Sequence, residues 1–178
     1  MTFGVADLPG GLRLRMTKPS DAAFERRLHD ANRQDLTLID GSRDFLESIF
    51  DMQHRARDAG YGAQFPDAMY YIIERQGEAI GRLVLDFGCN EVRVVDIALT
   101  PAVQGQGTGS IVLNAIKQVA ANVPCPVTLT VSLRRPDLVR LYAGLGFTQD
   151  PDAPPRGGYA LLRWTPGAAD MGRTQVLS

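Results

Sequence analysis

Gln104-Gly105-Gln106-Gly107-Thr108-Gly109 is the stretch on which the reading of this chain turns. Before it, Glu91 to Leu99 is rich in β-branched residues and reads as a strand ended by Pro101. After it, Val112, Ile116, Val119 and Val123 fall on one face, with Leu113 and Ala120 beside them. That spacing predicts a well-buried helix from about Thr108 to Val123. Glycines at 105, 107 and 109 remove side chains where something must approach the backbone closely. Unpaired N–H groups and the positive dipole end of a helix N-terminus favour a phosphate there. The plain alternative is a flexible loop with a glycine-rich cap. A dinucleotide fingerprint fails, because Ser110 stands where its third glycine belongs, and a P-loop fails for want of a lysine.

Downstream of the loop, Pro124 and Pro126 bracket the helix exit. Val127, Leu129, Val131 and Leu133 then alternate with Thr128, Thr130 and Ser132, the clearest strand period in the chain. Pro136 and Asp137 open a short helix carrying Leu138, Leu141, Tyr142 and Leu145 and stopping at Gly146. A last strand runs from Tyr159 to Trp164, and residues 166–178 form a flexible tail. Upstream, residues 1–11 read as a flexible arm and Leu12–Met16 as a strand. A helix after Pro19-Ser20-Asp21 carries Phe24, Leu28 and Ala31. A second helix follows Ser42, with Phe45, Ile49, Met52 and Ala56 as its stripe and Gly60 as its stop. Met69–Ile73 and Ile80–Phe87 form a hairpin about Gln76-Gly77. This order implies an α/β (mixed α+β) domain over 12–165. Its central mixed sheet is mostly antiparallel, has helices on both faces, and contains one parallel strand pair from the crossover.

The 178 residues are 44% hydrophobic and 22% charged, enough to bury the core of one domain. Nineteen Lys and Arg against 20 Asp and Glu give a net charge of -1, which argues against a general nucleic-acid binder. No apolar run approaches a membrane span and no signal-peptide core begins the chain, so a cytoplasmic, bacterial-type enzyme is expected. Cys89 and Cys125 fit no metal or redox spacing. His29 and His54 fall in predicted helices as surface residues, and no metal site is expected.

With these residues in place, the sequence resembles the GCN5-related N-acetyltransferase (GNAT) superfamily, in an uncharacterised bacterial subgroup. Val94-Val95-Asp96-Ile97-Ala98-Leu99-Thr100-Pro101 runs directly into the glycine loop. That loop is similar to the family's Gln/Arg-x-x-Gly-x-Gly/Ala element for the pyrophosphate of coenzyme A. Helix, strand and short helix follow at the family's spacing and end in Arg140-Leu141-Tyr142-Ala143-Gly144-Leu145-Gly146-Phe147, close to Leu-Tyr-x-x-Leu-Gly-Phe. The resemblance implies acetyl-CoA as cofactor and a splayed gap between the parallel strands. The pantetheine arm would pair there with backbone at Ile97, Ala98 and Leu99. The pyrophosphate would rest on the N–H groups of Gly105, Gln106, Gly107, Thr108 and Gly109, with Gln104 and Ser110 also among the cofactor-binding residues. It also implies direct attack by a primary amine on the thioester, polarised by a backbone N–H such as that of Ile97.

For catalysis, the resemblance makes Tyr142 the acid that protonates the departing thiolate. With an ordinary pKa of about 10, a tyrosine holds its proton at neutral pH. The alternative is simple packing with Leu138 and Leu145. Asp96 shares a strand face with Val92, Val94 and Ala98, an unusual place for a carboxylate. It is either a general base or a structural carboxylate bonded to Arg82 or Arg93, or to backbone N–H groups. Glu91 and Glu74 are lesser base candidates. Arg135 stands where the family carries an asparagine, so it either meets a phosphate or acceptor carboxylate or is solvated surface. The acceptor pocket is expected from Gln53, Arg57, Tyr61, Gln64, Phe65 and Tyr159. The acceptor is a small-molecule or peptide amine, with no nucleic acid or membrane partner, and an exposed edge strand is compatible with a homodimer. The rival readings are a non-catalytic acyl-CoA sensor on the same fold and a nucleotide-binding regulatory domain.

Overall fold

The computed structural model describes residues 4–32 and 64–167. Their contacts divide them into two compact units, the first drawn from 1–84 and 96–108, the second from 85–95 and 109–178. The second predicted helix, with Gln53, His54 and Arg57, lies outside the described residues, as do Tyr61 just after it and the tail beyond residue 167.

The first unit begins with β1 (Val5–Leu8), a single turn and β2 (Leu12–Met16). Val5–Leu8 is therefore a strand, correcting the expectation of a loose arm: it pairs antiparallel with β2, from Val5 opposite Arg15 to Leu8 opposite Leu12. Its short, half-exposed VADL sequence gives no alternation strong enough to declare a strand, and the backbone partner supplies what the side chains do not. Helix α1 (Ala22–Ala31) follows, then β3 (Met69–Arg75) and the larger part of β4 (Glu78–Phe87). In β2, Leu12 and Leu14 are buried while Arg15 reaches across to Asp21 and Glu74. That guanidinium holds the Asp21 carboxyl down to about 2, and Asp21 also accepts from the Lys18 backbone at 2.7 Å, fixing the entry to α1. His29 is a correction: it is 5% exposed, because it shares the inner side of α1 with Leu28 instead of facing water.

Tyr71–Ile73 in β3 and Ile80–Leu85 in β4 are buried without alternation, the pattern of strands covered on both faces. Gly81 sits within the β4 run. A Cβ placed there would stand 2.6 Å from the Ala98 carbonyl oxygen and 2.7 Å from a Leu99 methyl. The methyl can move; the carbonyl belongs to β5 (Val92–Leu99) and moves only with its strand. Gly81→Ala should therefore cost about 1–3 kcal/mol by overpacking, read as a lower denaturant midpoint at unchanged slope.

The second unit holds the end of β4, the start of β5, α2 (Thr108–Asn122) from Gly109 onward, β6 (Val127–Ser132), α3 (Pro136–Gly144), β7 (Thr148–Gln149) and β8 (Tyr159–Trp164). Val112, Leu113, Ile116 and Ala120 bury the expected face of α2. Three apolar positions depart from expectation. Val123, Leu133 and Leu141 are exposed: the first two lie just past the ends of α2 and β6, and Leu141 faces outward on α3. Thr128 is buried despite its polar place in the alternation, since its hydroxyl meets Glu91 at 3.0 Å. Lys117 ties α2 to the end of α3 by donating to the Leu145 carbonyl at 2.7 Å, and lies 5.1 Å from the Trp164 ring centroid.

The strands are hydrogen-bonded in the order β1-β2-β3-β4-β5-β6-β8-β7. The sheet is mostly antiparallel. Its parallel pair is β5 with β6, in register from Val92 opposite Val127 to Val94 opposite Leu129. β6 pairs with β8 along its whole length, from Val127 opposite Trp164 to Ser132 opposite Tyr159. With three helices among the described residues, this is the mixed α/β class expected. None of those helices is long and apolar enough to cross a membrane.

Candidate functional site

β5 ends at Leu99, Pro101–Val103 forms one tight turn, and residues 104–107 lead into the first residue of α2, Thr108. Gly105 and Gly107 have φ of +73° and +80°, left-handed values that favour glycine. A Cβ at either would meet nothing within 4 Å, so conformation and not crowding dictates glycine. Residues 104–107 are all exposed, and Thr108 is 1% exposed.

The loop is held from the sides. Gln104 donates its amide to the Leu99 carbonyl at 3.0 Å and to the Asn32 side-chain oxygen at 2.7 Å. Asn32, just past α1, donates in turn to the Leu99 carbonyl at 3.1 Å and to the Leu28 carbonyl at 2.9 Å. The Leu99 oxygen thus accepts two side-chain bonds and has no lone pair to spare. Gln106 closes its own turn on the Ala102 carbonyl at 2.9 Å. Arg75, at the end of β3, donates to the Thr108 hydroxyl at 3.1 Å and reaches Gln106 at 3.5 Å. Asn32 and Arg75 are absent from any motif reading. The signal that could have found Arg75 is negative: the stretch from Ile97 to Ile116 contains no charged residue.

Ile97, Ala98 and Leu99 are half-buried at the end of β5. Asp96, just before them, accepts from Arg82 at 2.9 Å, with side-chain exposures of 9% and 5%. The same guanidinium lies 3.8 Å from Glu25 of α1. This is the structural bond weighed for Asp96, with Arg82 as donor. Arg93 instead meets the Thr130 hydroxyl, Glu74 meets Arg15, and Glu91 meets Thr128.

In the second unit Gly109 and Ser110 continue α2, and Tyr142 is 7% exposed on α3. Its ring meets Phe147 edge-on at 6.1 Å between centroids, and its carbonyl accepts from Phe147 and Leu145 in the helix end. Leu138 and Leu145 beside it are half-buried. Arg135 is exposed and gives both ends of its fork to Asp137, at 3.0 and 2.7 Å. The pairing raises the arginine and holds Asp137 to about 2. Of the described acceptor candidates, Gln64 and Phe65 belong to the first unit and Tyr159, 55% exposed, to the second. Both cysteines are free, and burial pushes the Cys125 thiol up, away from nucleophilic use.

Comparison with known proteins places these features in a family. The sequence model of the Acetyltransferase (GNAT) family matches residues 31–147. No curated protein matches the chain by sequence. Among solved structures, the PaiA N-acetyltransferase of Thermoplasma acidophilum, in complex with coenzyme A, superposes with a TM-score of 0.62 at 14% identity, covering 86% of this chain and 98% of that one. The spermidine N-acetyltransferase of Vibrio cholerae gives 0.56 at 17% identity over 87% and 94%. The ribosomal-protein-S18-alanine N-acetyltransferase of Escherichia coli gives 0.59 at 14% identity over 86% and 93%. At such identities these neighbours establish the fold, and the sequence match extends from the end of α1 through the glycine loop to Phe147. The chain belongs to the GNAT acetyltransferase family.

Proposed function

We propose that the protein is an N-acetyltransferase that moves the acetyl group of acetyl-CoA to a primary amine by direct attack. The observation that carries this reading is the glycine loop: two exposed residues in left-handed conformation, at the start of α2 and inside the segment the family matches. When bound, acetyl-CoA supplies an activated acyl group on a thiolate leaving group. The chain's own contribution begins with the N–H groups from Gly105 to Gly109, which would grip the diphosphate with help from the helix end. Backbone around Ile97 and Ala98 would orient the pantetheine arm; the Leu99 carbonyl is already engaged by Asn32 and Gln104. Tyr142 would hold the proton that the departing sulfur takes. For Asp96, the bond to Arg82 supports an anchoring role, since acting as a base would mean giving up that bond. Arg135, bound to Asp137, is assigned to the surface.

Coenzyme A should raise the melting temperature while ATP and NAD leave it unmoved. A ligand at 100 times its Kd adds about 2.7 kcal/mol, roughly 5–10 °C for a chain of this size. A shift with ATP but not with coenzyme A would favour the nucleotide-binding alternative. Neighbours of the same fold are named for spermidine and for a protein alanine. The acceptor screen therefore runs over polyamines, amino acids, aminoglycosides and peptide N-termini, with free thiol as the readout. Binding of coenzyme A without thiol release from acetyl-CoA across that panel would point to the sensor.

A further inference from the structure

From Ile97 to Ile116 the chain carries no Lys, Arg, Asp or Glu, although this stretch contains the loop assigned to a diphosphate. Backbone N–H groups and a helix end offer only partial charge, about half a unit of positive charge at the terminus. A full positive charge comes from elsewhere in the sequence. Arg75, the last residue of β3, donates to the Thr108 hydroxyl at 3.1 Å and lies 3.5 Å from the Gln106 side-chain oxygen. One guanidinium therefore reaches the residues on both sides of Gly107, whose φ of +80° sets the loop's shape. Thr108 is almost wholly buried, so its hydroxyl gains little from water and depends on this donor. Among the described residues Arg75 forms no ion pair, and its Nε lies buried without a hydrogen-bond partner. No described carboxylate offsets its charge at the loop.

We propose that Arg75 is the positioning residue of the glycine loop and supplies the positive charge which the loop itself lacks, so that it selects for the diphosphate part of the cofactor. The inference rests on the coenzyme A reading above. Its test separates the diphosphate from the pantetheine arm: wild type, Arg75→Met and Arg75→Lys are titrated calorimetrically with coenzyme A and with pantetheine, which has no diphosphate. Charge-assisted hydrogen bonds of this kind correspond to about ten- to hundredfold in affinity, and Arg75→Met should lose coenzyme A by that factor. Pantetheine affinity should stay within about twofold, because a merely local charge contributes nothing to an uncharged arm. Arg75→Lys keeps the charge but not the fork, and should fall between the two.

Thr108→Val offers a second route should Arg75→Met fail to fold. It removes the hydroxyl that accepts from the guanidinium and should weaken coenzyme A severalfold without a matching loss for pantetheine. Equal weakening of both ligands would reduce Arg75 to general stability, and unchanged coenzyme A affinity would remove its role altogether. Either result overturns the inference while leaving the coenzyme A assignment standing. A wild type that takes up no coenzyme A overturns that assignment, and this inference with it.

Discussion

Tyr142→Phe should lower turnover at least about tenfold while the protein stays folded, and general-acid roles in enzymes span about 10²–10⁴-fold. The substitution is a clean one here. The ring is buried and rests edge-on against Phe147, and phenylalanine keeps both that contact and the volume. What is lost is one hydroxyl, whose hydrogen bonding is worth about 0.5–1.5 kcal/mol to stability. A modest fall in melting temperature with a large fall in turnover is therefore the signature of a proton donor. The opposite pattern, turnover unchanged and stability reduced, would return Tyr142 to the packing role beside Leu138 and Leu145. The measurement is turnover at saturating acetyl-CoA and amine, so that any change in binding does not masquerade as chemistry. If the hydroxyl is the donor, the loss should be greatest where departure of the thiolate limits the rate.

The parts of this protein that the sequence made legible are those where fold and chemistry are local. β5, the glycine loop and α2 are consecutive, and each announces itself: β-branched residues, then Gly105 and Gly107, then a helical stripe. The same holds for β6, whose alternation predicted Val127, Leu129 and Val131 as core. Illegible were the contacts that the fold closes across long separations. Asn32 and Gln104 are 72 residues apart, and Arg75 and Thr108 are 33 apart. Neither Asn32 nor Arg75 carries any local mark of its task. Burial of polar residues was hidden for a related reason. His29 and Thr128 look like surface residues until the packing of α1 and the hydroxyl bond to Glu91 are known. Val5–Leu8 failed differently, because an edge strand owes its existence to a backbone partner and needs little from its side chains.

Arg82→Met is expected to be the most destabilising single change. The Arg82 side chain is 5% exposed and lies between Asp96 at 2.9 Å and Glu25 at 3.8 Å, whose own side chains are 9% and 16% exposed. Removing the cation leaves two carboxylates in a poorly solvated place, and breaking a buried pair in this way costs about 3–5 kcal/mol. In a chain of this size that is roughly 6–20 °C in melting temperature. The same pair decides what Asp96 does. If Asp96 is an anchor, Asp96→Asn is destabilising, and the double variant Arg82→Met/Asp96→Asn recovers part of the loss of Arg82→Met, because the second change removes a buried charge that the guanidinium had offset. The acidic limb of the pH–rate profile would then be the same in Asp96→Asn as in wild type. If Asp96 is instead the base that takes the proton of the amine, Asp96→Asn loses that limb together with most of its turnover, whatever happens to stability. Measuring both quantities on the three variants separates a carboxylate that holds β5 to Arg82 from one that takes part in the reaction.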